Sequence, residues 1–307
     1  NPAFRKSGEF FRVHASGTGR ERYTLRSSLR PQDVRFGNLL YADVAIRSYE
    51  VFAQLKAEGA IPRSTRFQID LVPAHSVLWL FLVDALHAPL DKVYNEALKR
   101  EIDKIAAAIP NAELAIQFDV ASAVFARLER NEVGNYGRSK TEMQESFSSI
   151  LVDLGNHVPA DIELLYHFCY GDSNHRHVVE PTDMGDMVEL ANRVSRRISR
   201  PIALIHMPVP RSRSDDASFE PLKRLALRPE TELCLGLVRV LHQQVPERAG
   251  GAARRVHFLR PPPGARSRAS GKGERDMSDT PKIDRARTAR LADLETELGC
   301  RILAADS

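Results

Sequence analysis

His167 and Cys169 stand two residues apart near the end of the run Ile162-Glu163-Leu164-Leu165-Tyr166-His167-Phe168-Cys169-Tyr170-Gly171-Asp172. The run is apolar or aromatic at most positions, follows the turn signal Val158-Pro159-Ala160-Asp161 and ends in Tyr-Gly-Asp, so it reads as a buried strand running into a loop. On a strand, residues i and i+2 point to the same side, so the imidazole and the sulfur project together and could share one metal ion. A ring nitrogen and a thiolate suit Zn2+, which would keep Cys169 deprotonated and leave a coordination position for a substrate thiol. The plainer alternative is a structural cysteine beside a histidine that hydrogen-bonds a neighbouring carbonyl.

What positions this pair is a succession of strands and helices. A helix begins at Tyr41, with Ala42, Ala45, Ile46, Tyr49, Phe52 and Leu55 on one face, and stops at Gly59. The strand Arg66 to Val72 follows, closed by Pro73; then come a helical stretch from Val77 to Leu86, whose Trp79 reads as core, and a helix from Leu90 to Ile109. In the strand Glu113 to Val120, Gln117 and Asp119 share one side. A loop from Asn131 to Lys140 and a helix from Thr141 to Leu154 lead into the His167 strand. Beyond it lie a helix from Pro181 to about Ser199, a strand Ile202 to Pro208 carrying His206, a short helix near Phe219 to Leu227, and a strand Leu233 to Val238. Five strands separated by helices imply right-handed crossovers and a parallel sheet. Polar residues near the C-terminal strand ends are where a (β/α)8 barrel of the TIM type keeps its site. An open doubly wound sheet is the competing architecture, but no Gly-x-Gly-x-x-Gly follows a strand.

Composition sets the outer bounds. With 307 residues, 43% of them hydrophobic, the chain can build one large core. Three cysteines make no disulfide framework and suit a reducing, cytoplasmic setting. There is no secretory leader and no apolar run approaching the roughly 18 residues of a membrane span, so neither membrane nor export is expected. The net charge of +4 is unevenly spread: Arg248 to Arg275 holds eight Arg or Lys against the single acid Glu274, which leaves the rest slightly acidic. Three parts are expected: an incomplete barrel over 1–238, a disordered Arg/Pro/Gly-rich segment over 239–276, and a short helical appendage over 277–307. In the appendage Ser278-Asp279-Thr280-Pro281 caps a helix from Lys282 to Leu298, ahead of a short strand Cys300 to Leu303. The opening stretch to about Gly37 is polar and Arg-rich, without periodicity, and reads as the cut edge of something longer.

Five segments in order resemble one family: Arg66-Phe67-Gln68-Ile69; Ile109-Pro110 with Leu114 to Val120; Tyr166 to Asp172; Ile205-His206-Met207-Pro208-Val209-Pro210-Arg211; and Leu235 to Val238. The text from Asn1 to Val238 is similar to the catalytic barrel of the cobalamin-independent methionine synthases, in the superfamily that also holds uroporphyrinogen decarboxylase. The resemblance implies zinc-dependent transfer of a methyl or other alkyl group to a substrate thiol. It implies His167 and Cys169 as the first ligand pair, His206 as a ligand or catalytic residue where the synthases carry a Glu, and Asp119 as the carboxylate that holds the amino group of the thiol substrate. Gln68, Gln117, Asp172 and Arg211 fall in the matching segments and are the further substrate contacts. The implied partners are a small-molecule thiol and a methyl donor, with no specific nucleic acid and no membrane.

Two departures stand out. The strand and Pro-Asp-Gly-Glu type loop that open the family are absent, and so is the last strand with its Glu-Cys-Gly ligand; the only later cysteine is Cys300. A shift of reading frame just after Val238, running to a neighbouring start at Met277, accounts for the basic segment and the missing strand together. An incomplete barrel exposes strand edges that invite aggregation, and a site short of a ligand would be inactive. Two further readings carry tests of their own. A metal-free, decarboxylase-like barrel would use Asp119, His167 and His206 for acid–base work. The Arg-rich segment, with Phe258 its one aromatic, would give salt-sensitive, non-specific nucleic-acid binding. Asn174-His175-Arg176-His177 and Asp215-Asp216 read as solvated loops near the mouth.

Overall fold

The computed structural model describes residues 1–12, 19–171, 177–210, 213, 215–238 and 302–306. Segment 239–276, the helix expected over 282–298, and the residues Asp172, His175 and Arg211 lie outside them.

The sheet forms as the apolar runs predict. Strands β3 (Phe67–Leu71), β4 (Leu114–Val120), β5 (Glu163–Phe168), β6 (Leu204–Pro208) and β7 (Glu232–Val238) lie parallel, side by side in chain order. A sixth parallel strand, β8 (Ile302–Asp306), pairs with β7, so the strand expected near Cys300 belongs to the main sheet. Helices α3 (His87–Ala108), α5 (Lys140–His157) and α6 (Gly185–Arg197) make connections between these strands, and α1 (Tyr41–Ala57) precedes β3. Shorter helices α2 (Ala74–Phe81), α4 (Ser122–Glu129) and α7 (Asp216–Phe219) follow directly on strand ends or loops.

Strand parity divides the sheet into two chemistries. Ile69, Leu71, Ile116, Phe118, Leu164, Tyr166, Ile205 and Leu233 face the connecting helices and join Ile102 of α3, Phe147 of α5 and Met187 of α6 in one core. Fully burying a side chain such as Phe118 or Ile116 contributes about 1.5–3 kcal/mol, and this layer holds most such residues. On the opposite face Ala115, Leu165, Leu204 and Cys234 form a small buried cluster, and Gln68, Asp70, Gln117, Asp119, Glu163, His167 and His206 are polar. The connecting helices thus share one face of a sheet whose strands never reverse order. Among the described residues the sheet is open, with β3 and β8 at its edges, and a closed eight-stranded barrel is not formed. Six parallel strands are present among the described residues where closure takes eight.

Two elements depart from the sequence reading. The opening stretch is no loose end: β1 (Phe4–Phe11) and β2 (Arg20–Leu25) form an antiparallel hairpin. It docks on α2, where Arg22 donates to the Trp79 carbonyl at 2.8 Å and Val83 N–H donates to the Tyr23 carbonyl at 3.0 Å. Helix α4 is the second addition, separated from β4 by Ala121 alone.

A buried polar cluster fixes α2 against α3. Asn95 accepts from the first N–H of α2, at Ala74 (3.0 Å), and donates to Asp91 (2.6 Å); Tyr136 donates to the other Asp91 oxygen (2.9 Å). Beside this cluster, His75 is 2% exposed and neither of its ring nitrogens has a partner among the described residues. No helix of the described residues is long and apolar enough to cross a membrane.

Candidate functional site

Register brings the chemistry-bearing residues into one lateral row. Asp119 on β4 is level with His167 on β5, His167 with His206 on β6, and His206 with Cys234 on β7. Neighbours in register on parallel strands share a face, so all four side chains lie on the polar face, Asp119 and His167 near the C-terminal ends of β4 and β5. One row toward the N-termini, Asp70 on β3 is level with Gln117.

The two histidines meet directly. Their Nδ1 atoms are 2.6 Å apart, the ring planes differ by 11°, and the ring centroids are 4.7 Å apart. The centroid separation exceeds the nitrogen separation by about two ring radii, so the rings lie edge to edge in nearly one plane rather than face to face. One ring must therefore carry its proton on Nδ1 and donate it to the bare Nδ1 of the other. Burial holds both below the usual histidine range. His206 is pushed down to about 4 by burial and then by His167, while at His167 the Asp70 carboxylate works against burial. A neutral pair is the result, and a neutral imidazole is the form that binds metals.

Asp119 has the opposite problem. Burial, then the neighbouring Asp70 charge, push its carboxyl up to about 6, while a 2.9 Å hydrogen bond from Gln117 pulls the other way. The same device recurs one strand over, where Gln68 donates to Asp70 at 2.9 Å. These twin Gln-x-Asp pairs are the signal that could have marked Asp70 from the sequence. Between them they place two carboxylates on the polar face, poised to receive a cation.

Cys169 follows β5, and its N–H continues the ladder by donating to the Val120 carbonyl at 3.0 Å. Its Sγ accepts from the Gly171 N–H at 3.1 Å. The turn needs glycine: Gly171 has a φ of +83°, and a Cβ there would meet the Ser122 Cβ at 2.9 Å. Cys234 is different, because burial pushes its thiol up to about 12 and leaves it protonated. Beside it Gly236 makes room for His206, since a Cβ at 236 would stand 2.9 Å from His206 Nε2.

The donor set fits zinc in kind. His167 and His206 are neutral and converge from adjacent strands, and the Cys169 sulfur, a soft donor, accepts from the Gly171 N–H. In spacing the pair is adapted to sharing a proton: two nitrogens on one tetrahedral zinc stand about 3.3 Å apart, against 2.6 Å here. Among the described residues no group of three or more His, Cys, Asp or Glu is assembled to hold a metal ion. Of the substrate contacts read from the sequence, Gln68, Gln117 and Asp119 share the polar face, while Asp172 and Arg211 are outside the described residues. No protein family, no curated protein and no solved structure matches this chain.

Proposed function

We propose that this chain is a barrel-type α/β enzyme unit related to the cobalamin-independent methionine synthases, acting in methyl or alkyl transfer to a substrate thiol. The observation that supports the reading is the meeting of His167 and His206 across β5 and β6, level with Asp119, on the polar face of a singly wound parallel sheet. His167, His206 and Cys169 would hold zinc. When bound, zinc supplies a lowered thiol pKa and holds the substrate sulfur as a thiolate.

The chain's own residues do the rest. Asp119, oriented by Gln117, receives the substrate ammonium, and the Asp70 charge beside it strengthens the pull on a cation. Gln68 holds Asp70 in the same posture one strand away. With the sulfur fixed, the sulfur–carbon bond forms as the donor–carbon bond breaks. The donor atom keeps that electron pair, and the thiol proton is released. Positioning supplies the rate, because the nucleophile is already anionic.

Elemental analysis of the folded chain tests this, beside Cys169→Ala and His206→Ala variants. About one zinc per chain, lost in both variants, is the expected result. Folded protein that takes up no zinc would overturn it. That outcome favours a second reading, which the direct 2.6 Å contact supports: a metal-free proton relay through His167 and His206, with Asp119 as a carboxyl poised near neutrality.

A further inference from the structure

Two bare surfaces adjoin at the β3 edge of the sheet. Helix α1 leads into β3 and packs beside it. It buries Ala42, Ala45 and Phe52. Yet Val44, Val51 and Leu55 remain 53%, 59% and 38% exposed, and with Ser48 they follow a four–three–four spacing that makes one stripe. Among the described residues β3 is hydrogen-bonded to β4 alone, and no described strand lies beside its outer edge. Between stripe and edge runs a groove of about 490 Å³, lined by residues that include Val44, Ser48, Gln68 and Asp70.

The edge segment Arg66-Phe67-Gln68-Ile69-Asp70 runs charged, apolar, polar, apolar, charged in either direction, with opposite charges at its two ends. Let two copies pair antiparallel about Gln68. Arg66 then faces Asp70 of the second copy, Phe67 faces Ile69, and Gln68 faces itself. Parity puts the two Arg–Asp pairs and the Gln–Gln pair on the polar face and the Phe–Ile pairs on the helix face, so every cross-strand pair is complementary. Arg66 lies on the polar face but reaches inward across β4 to Glu163 of β5 at 3.0 Å, a partner it would exchange for Asp70 of the second copy on pairing. The two-fold axis that centres this pairing also brings the second α1 to the same side of the sheet, stripe toward stripe. Pairing strands and burying both stripes by one operation is what an isologous interface requires.

We infer that the chain forms a symmetric dimer in which β3 pairs antiparallel with β3 of a second copy and the two α1 stripes close over the join. The pairing shares Gln68 and Asp70 with the polar face used in the proposed function, but its readouts, chain mass and cross-linking, depend on neither zinc nor activity.

Light scattering on the full chain over a micromolar concentration series is the first test, with twice the chain mass expected. The double variant Val44→Glu/Val51→Glu, exposed and neutral for the fold, should run at the single-chain mass with an unchanged far-UV circular dichroism spectrum. Asp70→Lys sets like charges opposite Arg66 twice over and should raise the dissociation constant about tenfold. Gln68→Cys, which meets its own copy at the axis, should give a covalent dimer on mild oxidation that the unsubstituted chain does not give. A single-chain mass for the unsubstituted protein throughout the series overturns the inference. So does a dimer that survives the charge variants and fails to cross-link through position 68, since it would use another surface or another strand.

Discussion

Replacing Asp91 by Asn should change how stability depends on pH, by an amount the structure sets. Asp91 is 6% exposed, and burial pushes its carboxyl up to about 7 against the opposing hydrogen bond from Tyr136. In the unfolded chain the same carboxyl titrates near about 3.9. Between those two values the folded state holds a proton that the unfolded state has released, so acidification stabilises the fold. The sign is thus opposite to that of a salt-bridged acid: the penalty for a buried charge is fully present above pH 7 and fades as the pH falls toward 4. Each pH unit within the window is worth about 1.4 kcal/mol, so going from pH 8 to pH 5, two units below the folded value, yields about 2.7 kcal/mol. Asn cannot titrate. It keeps one acceptor for Tyr136 or Asn95 and turns an amide toward the other donor, a mismatch of about 1–3 kcal/mol at every pH. Urea denaturation of both proteins at pH 5, 6, 7 and 8 isolates the effect, because all other titrations cancel in the difference. The natural chain should gain about 2.7 kcal/mol on the variant between pH 8 and pH 5. Parallel stability curves would show that Asp91 ionises normally and would refute the reasoning.

Three other substitutions have defined outcomes. His75, pushed down to about 3 by burial and then by Arg127, stays neutral in the fold while the unfolded chain protonates below about 6.5. Its stabilising share is therefore lost as the pH falls below that value, and His75→Leu should flatten acid unfolding, gaining about 2 kcal/mol on the natural chain between pH 8 and pH 5; equal slopes would count against it. Gly236→Ala pushes a methyl to 2.9 Å from His206 Nε2 and 3.3 Å from the Pro208 Cα, at a cost of about 1–3 kcal/mol. It should also abolish the far-downfield proton resonance of the His167–His206 contact, and a variant retaining that resonance would contradict the packing described. Arg200, 6% exposed, donates to the carbonyls of Pro159 (2.7 Å), Val158 and Ile162, so Arg200→Met should cost about 3 kcal/mol in urea unfolding, and a loss below about 1 kcal/mol would show these bonds to be dispensable.

Much of the fold was legible because its strands are buried on the helix side and bounded by Pro, Gly and Asn. The runs around Ile69, Phe118, Tyr166 and Ile205 stand out as text, and a parallel order follows from the helices between them. The hairpin was not legible: Phe4–Phe11 buries no residue fully, so no two-residue alternation marks it, and its register shifts between Lys6 and Phe10. α4 was hidden because Ala123, Val124, Phe125, Ala126 and Leu128 are all buried, which removes the polar side of the helical period. For the site, the two-residue period was enough to put Gln117 and Asp119 on one side of their strand. The Nδ1 contact between His167 and His206, residues 39 apart in the chain, depends on register between strands, which no local pattern encodes. Asp70 and Cys234 were passed over for the same reason, since each gains its meaning only from the residue level with it on the next strand.

The division of the sheet by parity also governs how such a chain can change over generations. Substitutions among Gln68, Asp70, Gln117, Asp119, His167 and His206 alter what the polar face recognises without disturbing the packing of Ile69, Phe118, Tyr166 or Ile205 behind it. Loops can lengthen or shorten with both faces intact. Deleting one residue inside β5 does neither, because it turns Tyr166 toward the polar row and the imidazole into the core at a single stroke. Drift is therefore free in side-chain identity along one face and in connection length between elements, and closed in strand length, so new specificities are reached by point changes on a fixed lattice of positions.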